Sequence, residues 1–83
     1  MNTTTTEYPT DVRLYTVKEI ATLLSISRDR VYQLIYSQRI PAMDIGGLKV
    51  RHDTLVEFLK SMEGYMIDFE HPKNLYLLSS KTA

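Results

Sequence analysis

The stretch Thr16–Gln38, TVKEIATLLSISRDRVYQLIYSQ, leaves room for little besides two short helices joined by a tight turn. Thr16 can cap the first helix, and Glu19 three residues later completes a capping box, Thr16 bonding forward and Glu19 reaching back. Val17, Ile20, Ala21 and Leu24 then recur at i, i+3, i+4 and i+7, which lines one helical face with apolar groups. Ser25-Ile26 interrupts the run, and Ser27 is a second N-cap, worth about 1 kcal/mol. Beyond it Val31, Leu34 and Ile35 form a second apolar stripe, while Arg28, Asp29, Arg30, Tyr32, Gln33 and Tyr36 occupy the remaining face.

The flanking segments organise around this pair. Residues 1–12 are Thr-rich, lack apolar periodicity and read as a flexible N-terminal arm. Leu14 and Tyr15 lead into the first helix, one of them packing over it as a staple. The second helix ends near Ser37-Gln38, because Pro41 cannot continue it. Gly46-Gly47 then offers a two-residue hairpin turn, both central positions of a type I′ turn requiring positive φ. That register pairs Ile45 with Leu48 and Met43 with Val50 on a core face, and sets Asp44 opposite Lys49 and Ala42 opposite Arg51. Asp53 caps a third helix, where Leu55, Phe58, Leu59 and Met62 repeat with helical spacing, and Gly64 stands where a C-cap glycine belongs. Helix, turn, helix, hairpin and helix make a mainly α winged helix-turn-helix over residues 13–63.

The segment 64–83 is too apolar for a solvated linker. Tyr65–Phe69 can form a strand, and Pro72 can start a last helix over Lys73–Ser80. This tail either packs back on the core or offers a patch to a partner.

Composition narrows what such a chain can do. A single small domain buries roughly 60% of the surface its unfolded chain exposes, enough for a core but not for an enclosed substrate cavity. The absence of cysteine excludes a disulfide framework and a cysteine-ligated zinc site. His52 and His71 stand alone, without ligand spacing, so neither metal nor other cofactor is expected. No nucleophile, base and orienting group converge, which argues against an enzyme. The N-terminal residues contain no signal peptide and no run reaches membrane-spanning length, so a cytoplasmic location is expected.

Net charge is zero, yet its distribution is uneven. Residues 13–52 hold seven basic groups against three acidic ones; residues 53–73 hold two against five. A domain with one basic side can bind phosphate without being basic overall, because salt screens charges beyond a Debye length of roughly 8 Å. A short helix with one buried stripe and a polar outer face also suits the major groove, where base edges present donors and acceptors.

The segments Leu14-Tyr15-Thr16-Val17-Lys18-Glu19-Ile20-Ala21, Ser27–Ile35, Ile40-Pro41, Gly46-Gly47 and Asp53-Thr54-Leu55 resemble, in order and spacing, the excisionase-type, MerR-like winged helix-turn-helix DNA-binding family. The resemblance covers about residues 13–62. It implies that the second helix enters the major groove while the wing touches adjacent backbone or minor groove. The sequence departs from the family pattern at Arg39, where glycine often stands, which predicts a strained corner. The tip Gly46-Gly47-Leu48 is also less basic than is usual.

Candidate contacts to double-stranded DNA follow. On the recognition helix these are Ser27, Arg28, Arg30, Tyr32 and Gln33, with Gln33 the better base reader and Arg28 the better phosphate ligand. Tyr32 is either a DNA contact or a partly packed residue, and Tyr36 covers the core edge. Asp29 stabilises the helix N-terminus, accepts from a cytosine, or opposes wrong bases. Lys49 and Arg51 on the wing hold phosphate, and Thr16 at the first helix N-terminus is a further contact. The resemblance implies an excisionase that binds and bends attachment-site DNA, partnering a site-specific integrase and associating cooperatively with neighbouring copies on DNA. MerR regulators dimerise through a long C-terminal coiled coil, for which the segment from Glu63 onward is too short. A small transcriptional regulator, or a protein-interaction module using the same fold, is the alternative.

Overall fold

The computed structural model describes residues 12–78. Its elements are β1 (Leu14–Thr16), α1 (Val17–Leu24), α2 (Arg28–Tyr36), β2 (Met43–Asp44), β3 (Leu48–Arg51), α3 (His52–Met62), β4 (Tyr65–Ile67) and β5 (Leu75–Leu77). Three helices with small antiparallel sheets make a winged helix-turn-helix, as the periodicity predicts. Residues 1–11, and with them most of the expected arm, lie outside the described residues, as do residues 79–83.

The two central helices start where their caps place them. Thr16 accepts the Glu19 amide at 3.1 Å and Glu19 accepts the Thr16 amide at 2.8 Å, closing the capping box. Ser27 Oγ accepts the Arg30 amide at 3.2 Å. Both helices also end alike. Ser25 and Gln38 adopt left-handed backbone (φ 58° and 68°), and the following amides of Ile26 and Arg39 reach back to Ala21 and Leu34 carbonyls. With Ser25 N–H on Thr22 and Gln38 N–H on Ile35, each corner is a Schellman motif without its usual glycine. The strained residue is therefore Gln38 and not Arg39, because the carbonyl geometry fixes the left-handed site one position earlier.

The core forms from Val17, Ile20 and Ala21 of α1, Val31, Leu34 and Ile35 of α2, Ile40, Val50 of β3, and Leu55 and Phe58 of α3. Leu24 and Met62 are half-buried at its edge, but Leu59 is 41% exposed and falls outside the stripe assigned to α3. Tyr15 packs against this core from β1, supplying the expected staple from a strand that the sequence reading took for a lead-in.

The wing differs from expectation by one residue. β3 is the central strand, between β1 and β2. Asp44 pairs with Leu48 and Met43 with Lys49, so the connection is Ile45-Gly46-Gly47. The cause is the Asp44 side chain: Oδ1 accepts the Gly47 amide at 3.0 Å while the Ile45 amide donates to the Gly47 carbonyl at 3.1 Å. A one-residue slip turns side chains to the other face, so Ile45 is 57% exposed instead of joining the core, and Asp44 no longer faces Lys49.

Helix α3 begins at His52 with Arg51 at the N-cap position and no side-chain cap. Asp53 lies inside the first turn instead, because the His52 amide is taken by the Arg13 carbonyl at 3.0 Å. Gly64 ends the helix region at φ 89°, as expected. The tail then forms an antiparallel hairpin, Tyr65 opposite Leu77, Met66 opposite Tyr76 and Ile67 opposite Leu75. The expected strand after Gly64 is present, whereas the helix expected from Lys73 is replaced at Leu75–Leu77 by β5. Asn74 N–H bonds back to the His71 carbonyl, and Asp68 N–H to the Asn74 carbonyl, which turns the chain toward β4 and offers residues 75–77 a strand edge.

Candidate nucleic-acid interface

The capped start of α2 sets the interface. Arg28 and Asp29 open the helix immediately beyond Ser27, where the first amides lack carbonyl partners within the helix. Asp29 in this turn opposes the positive end of the helix dipole. From there the exposed residues Arg28, Asp29, Arg30, Tyr32, Gln33 and Tyr36 cover the face away from the core.

An open groove joins this helix start to the wing. Thr16 from β1, Lys18 from α1, Arg28 and Tyr32 from α2, and Lys49 from β3 line it, with Gly46, Gly47 and Leu48 along its rim. The β1–β3 register brings Lys49 there by setting it directly opposite Thr16. Lys18 was missing from the sequence-derived set; its signal was its position two residues beyond the Thr16 cap, in the first turn of α1.

Other candidates lie apart from this groove. Arg51 points toward the start of α3, where Nη2 meets Asp53 Oδ2 at 3.4 Å in a solvent-exposed pair. Arg30 leans to the opposite flank of α2, its guanidinium carbon 4.5 Å above the centre of the Phe69 ring. There it borders a hollow with Asp68 and Glu70 of the C-terminal hairpin. Arg39 is bound to the same hairpin, donating from Nε to the Pro72 carbonyl at 2.8 Å and from Nη2 to the Lys73 carbonyl. Tyr36, assigned to the core edge from sequence, is instead 71% exposed and stacks on Tyr32, with ring centroids 6.0 Å apart and 9° between planes.

The remaining polar groups serve the scaffold. Arg13 Nη2 lies 3.2 Å from His52 Nε2, and Tyr15 Oη lies 2.7 Å from Nδ1. Arginine only donates, so Nε2 is the acceptor toward Arg13 while Nδ1 faces the Tyr15 hydroxyl. In the hairpin loop, one ligand atom each of Asp68, Glu70 and His71 lies within 4.8 Å of the others, the grouping among the described residues that comes nearest a metal-binding set. The Asp68 oxygens are already engaged there, Oδ1 by the Glu70 amide at 2.9 Å and Oδ2 by His71 Nδ1 at 3.3 Å. The Glu70 amide holds the Asp68 carboxyl below its ordinary pKa, against a smaller opposing desolvation, and His71 adds to the lowering.

A capped second helix, a basic groove at its start and a hairpin beside it define a protein of the winged helix-turn-helix class. The chain belongs to the helix-turn-helix domain family, whose family model matches residues 14–63, from β1 to the residue after α3. That family is associated with excisionase-like DNA-binding domains, as the resemblance in the sequence implies. No curated protein and no solved structure matches the chain. The domain supports DNA as the partner, and its class is typically non-enzymatic. No helix among the described residues is long and apolar enough to cross a membrane.

Proposed function

We propose that the protein is an excisionase, a sequence-specific DNA-binding accessory factor that binds and bends attachment-site DNA and helps an integrase excise a mobile element. The observation that carries the proposal is the shared groove in which Thr16, Lys18, Arg28, Tyr32 and Lys49 converge from four elements. A duplex seated there places the α2 face in the major groove and one strand's phosphates along the wing. Ser27 and the α2 N-terminus, Arg28, Lys49 and Thr16 hold phosphate, which gives register but no sequence. Gln33 reads a base edge, and Tyr32 packs beside it. Arg30 and Arg51 contribute more weakly, because each already has a partner within the chain. The excisionase role draws support from the family association, and from a β-hairpin standing where a MerR-type regulator carries its coiled coil. Neighbouring copies then cooperate along the DNA beside the integrase.

A gel shift across a salt series tests the binding step. Lys49→Ala is expected to weaken all sequences about equally and to lower the salt slope by about one unit. Footprints on the attachment region and on the chain's own promoter, with an excision assay using the integrase, separate excisionase from transcriptional regulator. Protection confined to the promoter, with no effect on excision, leaves only the regulator.

A further inference from the structure

We infer that Tyr36, stacked on Tyr32, contacts a thymine methyl group in the major groove and so helps choose the DNA sequence; the inference rests on the DNA-binding reading above. At about 100° per residue, the buried Val31, Leu34 and Ile35 gather on one side of α2. The opposite line carries Asp29, Gln33 and Tyr36, all exposed. Arg28 and Tyr32 flank that line toward the wing groove, whereas Arg30 flanks it toward Phe69. The residues pointing farthest from the core are therefore Asp29, Gln33 and Tyr36, and the arginines lie to either side.

Tyr36 is 71% exposed, so its ring contributes little to the core of the folded chain. Its orientation is nevertheless set, because it lies nearly parallel to Tyr32 at 6.0 Å. A ring already held in place loses less freedom when a ligand meets it. What such a ring can recognise is narrow. Phosphate calls for the charged flanks, and base-edge hydrogen bonds call for a group such as Gln33. Thymine alone among the bases offers an apolar group in the major groove, its C5-methyl. Gln33 one helical turn before Tyr36 suits adenine, so the two side chains together favour a site with A·T pairs at its centre.

The test selects a site for the full chain from a randomised duplex library, then replaces each thymine by deoxyuridine in turn. One replacement is expected to weaken the wild-type chain about fourfold, the value of one buried methyl-sized group. The same replacement is expected to leave Tyr36→Ala unaffected, and Tyr36→Phe to behave as wild type, with melting curves of both variants as the folding control. The inference is overturned if wild type and Tyr36→Ala respond alike to every deoxyuridine. It is also overturned if Tyr36→Phe loses as much affinity as Tyr36→Ala, for then the hydroxyl makes the contact. Both results leave DNA binding intact. Absence of salt-dependent duplex binding by the wild-type chain overturns the DNA-binding reading itself, and this inference with it.

Discussion

The winged domain and the C-terminal hairpin are held by different forces. All ten buried apolar residues among the described residues, from Val17 to Phe58, belong to the winged domain. The hairpin sends only Ile67 and Phe69 against that core and leaves Tyr65, Tyr76 and Leu77 more than 40% exposed. Its further attachments are polar or aromatic, and they meet α2 at both ends: Arg30 on Phe69, and Arg39 on the Pro72 and Lys73 carbonyls. Burial of apolar surface contributes far more than exposed polar contacts, so the domain sets the stability of the chain and the hairpin follows the position of α2.

The contrast breaks most visibly under matched leucine truncations. Leu34→Ala removes a side chain only 2% exposed at the centre of the core and is expected to cost about 2–5 kcal/mol in denaturant melts. Leu77→Ala, nearly half exposed on β5, is expected to stay within about 0.5 kcal/mol. Equal losses would show the hairpin to be part of one cooperative core. Arg39→Ala comes next, removing two charged hydrogen bonds at roughly 1–2 kcal/mol, felt locally. Hydrogen exchange at the Asp68 and Leu78 amides, which bond to Asn74 and Gly64, is expected to accelerate while α1 amides keep their rates.

Within the winged domain, Ser27→Ala is expected to cost about 1 kcal/mol and to lower DNA affinity as well, since the cap and the proposed phosphate site coincide. Unchanged melting together with unchanged affinity removes Ser27 from the interface. The smallest effect belongs to the hairpin loop. The folded-state pKa of Asp68 is lowered, so its contribution is present above the ordinary carboxylate value of about 4 and disappears as pH falls through the folded value. Asp68→Asn is expected to loosen the loop at neutral pH, read by exchange of the Glu70 amide, and to match wild type in strong acid. A difference that persists there assigns the effect to packing instead of charge.

What was legible in the sequence was local. Thr16, Glu19 and Ser27 mark helix starts because capping acts within four residues, and the α2 stripe of Val31, Leu34 and Ile35 is buried as its spacing requires. What was missed depended on partners distant in the chain. Leu14–Thr16 is a strand because β3 offers it an edge, and Leu75–Leu77 is a strand because β4 does. The wing register turned on one Asp44 side chain that a glycine-pair rule does not weigh. In the candidate interface, the position of Arg28 at the start of α2 was readable from the Ser27 cap, whereas Lys49 comes to the groove through the β1–β3 pairing. The diversion of Arg30 to Phe69 was not readable, since the two are far apart in sequence.

The glycine-free corner after α2 has its consequence in the unfolded chain. Holding Gln38 at φ 68° costs the native state about 1–2 kcal/mol relative to a glycine. A glycine there would also enlarge the denatured ensemble, at a cost of roughly 0.5–1 kcal/mol on folding. The second effect offsets about half of the first, which leaves the side chain at this position with a net cost on the order of 0.5–1 kcal/mol. Conformational freedom withheld from the denatured state thus recovers part of what glycine's tolerance would supply in the folded one.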